Sequence, residues 1–302
     1  MKELVVISGK GGTGKTSIVA SFSTLARQAA LADCDVDAAD LHLVLNPTIE
    51  RREDFSGGRK ARIMEDQCIA CNRCVEECRF DAIKYAVLEN GKKADKPSIN
   101  LISCEGCGLC KRLCPVEAIA FEPVVNGQMF VSTTRNGPMV HARLGMAEGN
   151  SGKLVSLIRE EARRIAEKEG LENILVDGSP GVGCPVISSI TGADSVLIVT
   201  EPTLSGRHDL LRVAKLAAHF RIATLVCVNK WDLNPDMTEQ IEREALENGL
   251  KIAGRIRYDA AITKAQIAKK SVVEYTDGPV SGDIKGVWGI VQNVLRSLST
   301  KN

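Results

Sequence analysis

No sign of charge dominates this sequence. Its 39 lysines and arginines are met by 38 aspartates and glutamates, for a net charge of +1. That balance gives no footing for a nucleic acid or an anionic membrane surface. There is also no apolar run long enough to span a bilayer. The start lacks the apolar segment of a signal peptide, because Met1 to Ile7 leads straight into a glycine-rich turn. The expectation is a cytoplasmic protein with no nucleic-acid partner and no stable membrane insertion. Cysteine, by contrast, is plentiful: there are 11, eight of them in two short runs. In a chain without an export signal, such clustering points to metal rather than disulfides. With 302 residues, 44% of them hydrophobic and 25% charged, the composition is that of a globular protein of roughly two domains.

What is present is organised around Gly9-Lys10-Gly11-Gly12-Thr13-Gly14-Lys15-Thr16. The apolar run Leu4-Val5-Val6-Ile7 before it reads as a buried strand, and Thr16 to about Ala29 reads as a helix. A glycine-rich turn between strand and helix aims backbone N–H groups at one centre. The helix N-terminus adds partial positive charge there, which suits phosphate. In the phosphate-loop pattern Lys15 serves the β/γ-phosphates and the Thr16 hydroxyl serves Mg²⁺, with Ser17 following. Lys10, directly after the first glycine, sets this loop apart. Gly-Lys-Gly-Gly-Thr-Gly-Lys-Thr resembles the deviant Walker A loop of the ParA/MinD-type ATPases and the nitrogenase iron protein. That resemblance implies a homodimer in which Lys10 reaches the partner's nucleotide.

After the helix, Leu31-Ala32-Asp33-Cys34 reads as a short strand ending in Asp35-Val36-Asp37-Ala38-Ala39-Asp40. Acidic residues at a strand end beside the phosphate loop sit where Mg²⁺ and an attacking water belong. By resemblance this is the first switch, with Asp37 orienting the water and Asp35 close to it. His42, among leucines, reads as a core histidine. Pro47 to Arg62 is polar and reads as an irregular insertion boundary.

Next comes a repeat. Cys68-x2-Cys71-x2-Cys74-x3-Cys78 recurs 36 residues later as Cys104-x2-Cys107-x2-Cys110-x3-Cys114. This is similar to the run of bacterial two-cluster ferredoxins, whose fourth cysteine ligates the other cluster. The resemblance assigns Cys68, Cys71, Cys74 and Cys114 to one 4Fe–4S cluster, and Cys78, Cys104, Cys107 and Cys110 to a second. Zinc also accepts four thiolates and is the competing metal. One departure is that Arg79 follows Cys78, whereas Pro115 follows Cys114.

In the second half, Ser151 reads as the cap of a helix carrying Leu154, Leu157, Ile158, Ala162, Ile165 and Ala166 on one face. Lys153 belongs either to the active centre or simply to the first turn of that helix. Ile174-Leu175-Val176-Asp177 followed by Gly178 to Gly183 has the form of a Walker B strand and second switch, with Asp177 on the Mg²⁺ side. Cys184 lies seven residues after Asp177. The nitrogenase iron protein carries a bridging-cluster ligand at that offset. Its second such cysteine has no counterpart in residues 124–173, so Cys184 reads as a structural or redox-coupling thiol, with a two-ligand bridge left open. Glu201 to Asp209 resembles the family's dimer-facing loop, giving His208 a structural role. Asn229-Lys230-Trp231-Asp232 resembles the base-reading motif of GTPases. In the ATPase relatives the asparagine alone contacts adenine, so ATP is favoured and GTP stays open through Asp232. The last apolar pattern, Val287 to Leu298, has only Arg296 and Lys301 as cations and reads as a core-packing helix.

Strands alternating with helices imply an α/β fold: a mostly parallel, doubly wound sheet formed by 1–55 and 123–302, with a small α+β ferredoxin-like domain inserted at 56–122. The resemblance implies an ATP-hydrolysing dimer with Mg²⁺ and two 4Fe–4S clusters, passing electrons to a redox or iron–sulfur partner. A cluster carrier or scaffold, and a MinD-like positioning ATPase with redox-sensing clusters, are the alternatives.

Overall fold

The computed structural model describes residues 1–27, 29–145 and 151–299. In chain order, β1 (Lys2–Ser8), α1 (Lys15–Ala26), β2 (Ala29–Asp33), α2 (Leu41–Leu45) and β3 (Thr48–Phe55) come first. The cysteine-rich stretch holds β4 (Gly58–Ile63), α3 (Arg73–Glu76), β5 (Ile83–Lys84), β6 (Ser98–Ile99), α4 (Leu109–Leu113) and β7 (Ile119–Val124). Then follow β8 (Gly127–Thr134), β9 (Gly137–Leu144), α5 (Ser151–Glu169), β10 (Asn173–Pro180), α6 (Cys184–Ile190) and β11 (Ser195–Thr200). The chain closes with α7 (Leu204–His219), β12 (Ala223–Asn229), α8 (Pro235–Glu247), β13 (Lys251–Ile256), α9 (Ala261–Ile267), α10 (Val272–Tyr275) and α11 (Pro279–Ser299).

Two compact units emerge. The larger takes Met1–Glu53, Met129–Arg143 and the chain from Ser151 onward; the smaller takes Asp54–Gln128 with Leu144 and Gly145. The larger unit is built on a nine-stranded sheet in the order β13-β12-β11-β1-β10-β2-β9-β8-β3. From β13 to β9 the neighbours run parallel. β8 and β9 are joined by Arg135 and Asn136 alone, a connection only an antiparallel pair can make. Strands buried on both faces must be apolar throughout, and Leu4, Val5, Val6 and Ile7 are fully buried. Successive side chains take opposite faces. Leu4 and Val6 join a core with Phe22 of α1 and Trp288 of α11, whose rings lie 4.9 Å apart. On the other face α5 packs on β2, α6 on β10 and α7 on β11.

Four sequence expectations need correction. Helix α1 stops at Ala26, because Arg27 turns left-handed at φ 60°, and Ala29 already belongs to β2. The polar stretch 47–62 is not irregular. It forms β3 and β4, and β3 is an edge strand exposed along seven of its eight residues, so it carries no apolar alternation. Ser151 is the first residue of α5 rather than the residue before it; Asn150 lies outside the described residues. Leu157 is 37% exposed at the rim of the stripe, while Leu154, Ile158 and Ala162 are buried. Helix α11 does pack into the core through Val287, Val291 and Leu295, with Ile290 facing outward; Lys301 lies outside the described residues.

Buried polar groups pin the larger unit. Arg159 of α5 meets Glu3 of β1 at 2.6 Å and donates to the carbonyls of Ser188 and Thr191. His141 of β9, 7% exposed, shares a hydrogen bond with Ser132 and stacks between Phe130 and His42. Burial, with the His42 ring beside it, lowers the His141 pKa to about 4. The unfolded chain therefore takes up this proton near pH 6.5 while the fold resists it. The contribution of His141 is complete above that pH and is lost as pH falls toward 4. Its size is on the order of 3 kcal/mol. Urea denaturation at pH 7.5 and pH 4.5 should show that a His141→Asn variant loses less stability on acidification than wild type, by about that amount.

Candidate functional sites

In the larger unit, the loop after β1 is shaped by two left-handed glycines, Gly12 at φ 78° and Gly14 at φ 89°. Its neighbours leave no space for a side chain at Gly9 or Gly14, while Gly11 and Gly12 meet nothing within 4 Å. A Cβ on Gly9 would lie 2.2 Å from Cβ of Asp209 in α7, and one on Gly14 would lie 2.4 Å from Nδ2 of Asn229. That Nδ2 donates to the Thr13 carbonyl at 2.8 Å, and the Ser8 hydroxyl donates to the Lys10 carbonyl. The loop is thus clamped from below with its outer face free. Lys15, only 4% exposed, points back along the loop to within 3.7 Å of Asp35.

Behind Lys15 stand the carboxylates. Asp33 of β2 and Asp177 of β10 are register partners, and both are fully buried. Asp33 accepts from the N–H groups of Asp35 and Leu41, which folds the acidic loop back over it. Neither oxygen of Asp177 has a hydrogen-bond partner. The Thr16 hydroxyl lies near enough to favour its ionised form without completing a bond. Burial pushes Asp177 up to about 7, with Lys15 opposing, and burial together with Asp177 pushes Asp33 well up. Asp35 is raised by burial and held back by Lys15. Buried carboxylates of this kind call for a cation.

A cleft of about 520 Å³ opens above them, lined by Gly11, Gly12, Gly14, Lys15, Thr16, Ser17, Asp35 and Asp37 with Ser179, Pro180 and Gln266. That is within the usual range for small-ligand pockets, ~300–1,000 Å³. The sequence did not single out Asp33, Ser179 or Gln266. Alternation of aspartates at 33, 35 and 37 could have flagged the first. Gln266, which donates to the Ser17 hydroxyl, has no motif. The Ser179 hydroxyl donates to the Cys34 carbonyl, tying the end of β10 to the start of the acidic loop.

Other singled-out residues stand apart from this cleft. Lys10 turns to Glu201 at 3.3 Å. Asn229 supports the loop backbone, and Asp232 accepts from the Tyr258 N–H at 2.7 Å. Lys153 sits in the first turn of α5. Cys184 is exposed at the start of α6, and Cys34 and Cys227 are buried. His208 is exposed beside Asp209. His42 is half-buried, with its Nδ1 unpartnered.

In the smaller unit, β4 pairs with β7 and β5 with β6, both antiparallel. Its core is slight: Ala61, Ile63, Ile83 and Ile119, with six of the cysteines packed against them. The repeat is visible in the backbone. Left-handed residues Ala70, Asn72 and Asp81 are matched 36 positions on by Gly106, Gly108 and Glu117, all at positive φ. Such turns bring backbone N–H groups inward, and Ala70 N–H points to the Cys68 sulfur. Two pockets result. Cys68, Cys71, Cys74 and Cys114 line one, and Cys78, Cys104, Cys107 and Cys110 line the other. Among the described residues, no three of His, Cys, Asp or Glu converge as ligands to a single ion. Burial raises the Cys74 and Cys110 thiols, the latter to about 11.

The nucleotide binding domain of the CobQ/CobB/MinD/ParA family matches residues 4–272. The chain belongs to that family. An uncharacterized protein of Methanocaldococcus jannaschii is 31% identical over 290 residues, 95% of each chain. The cell division ATPase MinD of Pyrococcus furiosus shares the fold at a TM-score of 0.58, with 16% identity, covering 97% of this chain and 99% of that one. The ferredoxin-type protein NapG of Escherichia coli is 27% identical over 120 residues, 36% of this chain and half of NapG. Among the described residues, no helix is long and apolar enough to cross a membrane.

Because Asn229 clamps the loop instead of lining the cleft, Asn229→Ala should weaken ATP and GTP binding alike, by about tenfold. Isothermal titration with both nucleotides checks this. A loss confined to one of them would assign Asn229 to the base.

Proposed function

We propose that this protein is an ATP-hydrolysing iron–sulfur dimer that couples ATP binding and hydrolysis to electron transfer through two 4Fe–4S clusters. The observation that carries the reading is the crossed lining of the two cysteine pockets: three thiols from one run and the fourth from the other, in both. That crossing is the ligand pattern of two-cluster ferredoxins. Four thiols line each pocket, the number that a 4Fe–4S cluster takes, whereas a single zinc would need all four sulfurs about 2.3 Å from one point. A small unit with so slight an apolar core also gains stability from bound metal.

On the nucleotide side, the unpartnered Asp177 oxygens and the neighbouring Thr16 hydroxyl are a fitting donor set for Mg²⁺. When bound, the ion would neutralise phosphate charge. Lys15 and the N–H groups of Gly11 to Thr16 bind and orient the β- and γ-phosphates. Asp37, at the open edge of the cleft, and Asp35, held by Lys15, orient the attacking water. Lys10 lies on the loop yet turns away from its own cleft, which supports a role on a second copy's nucleotide. Asp232, committed to the Tyr258 N–H, is less free to accept from guanine, which supports ATP.

Anaerobically purified protein should carry about eight irons and eight sulfides per chain. Cys74→Ser and Cys110→Ser should each remove about half. Lys15→Ala should lower ATP turnover at least ~100-fold with iron retained. Electron transfer to an artificial acceptor should be faster with ATP than without. Zinc without sulfide would overturn the reading, and ready loss of iron to an apo-acceptor would favour a cluster carrier.

A further inference from the structure

Lys10 is not alone on its carboxylate. Glu201, the residue after β11, holds the Lys10 ammonium at 3.3 Å with one oxygen and the Lys230 ammonium at 2.5 Å with the other. Both cations belong to the phosphate-loop neighbourhood. Lys10 is in the loop, and Lys230 follows the clamp residue Asn229 and reaches the Gly12 carbonyl at 3.5 Å. The Ser205 and Thr203 hydroxyls complete the seat of Lys10 at 3.3 and 3.5 Å. The Glu201 side chain is only 14% exposed, against 34% for Lys10 and 29% for Lys230. The carboxylate is therefore the fixed, shielded member of the trio, and the lysines are the ones able to leave. Its place is set by backbone: Thr203 caps α7, and Gly206 has no room for a Cβ, which would lie 2.3 Å from the Glu201 carbonyl oxygen.

We infer that Glu201 is a positioning residue for Lys10, retaining it within its own chain and setting how readily it passes to the triphosphate bound by a second copy. The inference rests on the proposed dimer in which Lys10 acts in trans. A carboxylate shared by two ammonium groups holds each less tightly than it would hold one, since the two cations repel each other across it. Lys230 thus weakens the hold on Lys10.

The test measures dimer formation by analytical ultracentrifugation of the full chain against a non-hydrolysable ATP analogue. Glu201→Gln should lower the analogue concentration for half-maximal dimer by about fivefold. Lys230→Met should raise it, because Glu201 is then left to Lys10 alone. Lys10→Ala should lose analogue-dependent dimer formation and ATP turnover, and Glu201→Gln should have no effect on that background. If Lys10→Ala dimerises and hydrolyses ATP like wild type, the trans role falls and this inference with it. If Lys10→Ala fails while Glu201→Gln and Lys230→Met both match wild type, the dimer stands and the role of Glu201 alone is overturned. Should thermal melts show Glu201→Gln unfolded, the direction of the Lys230→Met shift decides.

Discussion

One buried ammonium set against three buried carboxylates is the constraint on which the larger unit depends. Among the described residues, Lys15 is the one cation that reaches Asp35 beside Asp33 and Asp177, and all four residues are at most 8% exposed. An imbalance of that kind is costly in a protein interior. Protonation relieves part of it, since burial raises all three carboxyls, and the rigid surroundings keep the groups together. Asp33 and Asp177 stand on paired strands whose apolar residues fill both faces of the sheet. The acidic loop is folded onto Asp33 by two N–H donors, and the loop after β10 is fastened to β1 through Gly181 N–H and the Ser8 carbonyl. The sheet order follows the same need. Placing β10 between β1 and β2 brings the glycine-rich loop, Asp177 and the acidic loop to the carboxyl ends of three adjacent strands.

The smaller unit answers a different constraint. A core cluster of four aliphatic side chains, with few other buried apolar residues beside it, cannot hold some 75 residues together by apolar burial. Its cysteines do duty as interior. Six of the eight pack on the apolar cluster, while Cys71 and Cys107, equivalent positions in the repeat, remain exposed. The left-handed residues recur at the same offsets in both halves although their identities differ, Ala70 against Gly106 and Asn72 against Gly108. Gly106 is the one with a visible reason: a Cβ there would lie 2.2 Å from the Arg59 carbonyl oxygen. A non-glycine residue at φ > 0 is unfavourable, so the repeated backbone, more than the repeated sequence, marks what the cysteine loops require.

What could be read in the sequence was local. The phosphate loop and the cysteine runs each carry their chemistry within about ten residues, and an apolar strand such as Leu4 to Ile7 announces its own burial. What could not be read depends on neighbours far along the chain. β3 is exposed on both faces and so shows no period, and the β8–β9 hairpin looks like a return from the insertion rather than two strands of the nine-stranded sheet. Glu201 meets Lys10 and Lys230, and Gln266 meets Ser17 across 249 positions. Asn229 was legible as a nucleotide-motif residue, but its partner, the Thr13 carbonyl, was not.

Strands β8 and β3 close one end of the nine-stranded sheet. The chain reaches the cysteine-rich stretch through β3 and returns through β8, so both passages lie at the margin of the nucleotide-binding sheet. Arg135, in the turn between β8 and β9, donates to the carbonyls of Val44 and Leu45 at the end of α2, and it is gripped by both oxygens of Glu274. Helix α2 begins at Leu41, whose N–H is held by Asp33, and its Val44 lines the cleft. A shift of the acidic loop therefore cannot stay local. It must either carry α2 and the Arg135 turn with it or break charge-assisted hydrogen bonds that Glu274, its carboxyl held down to about 2, keeps fully ionised across the physiological range.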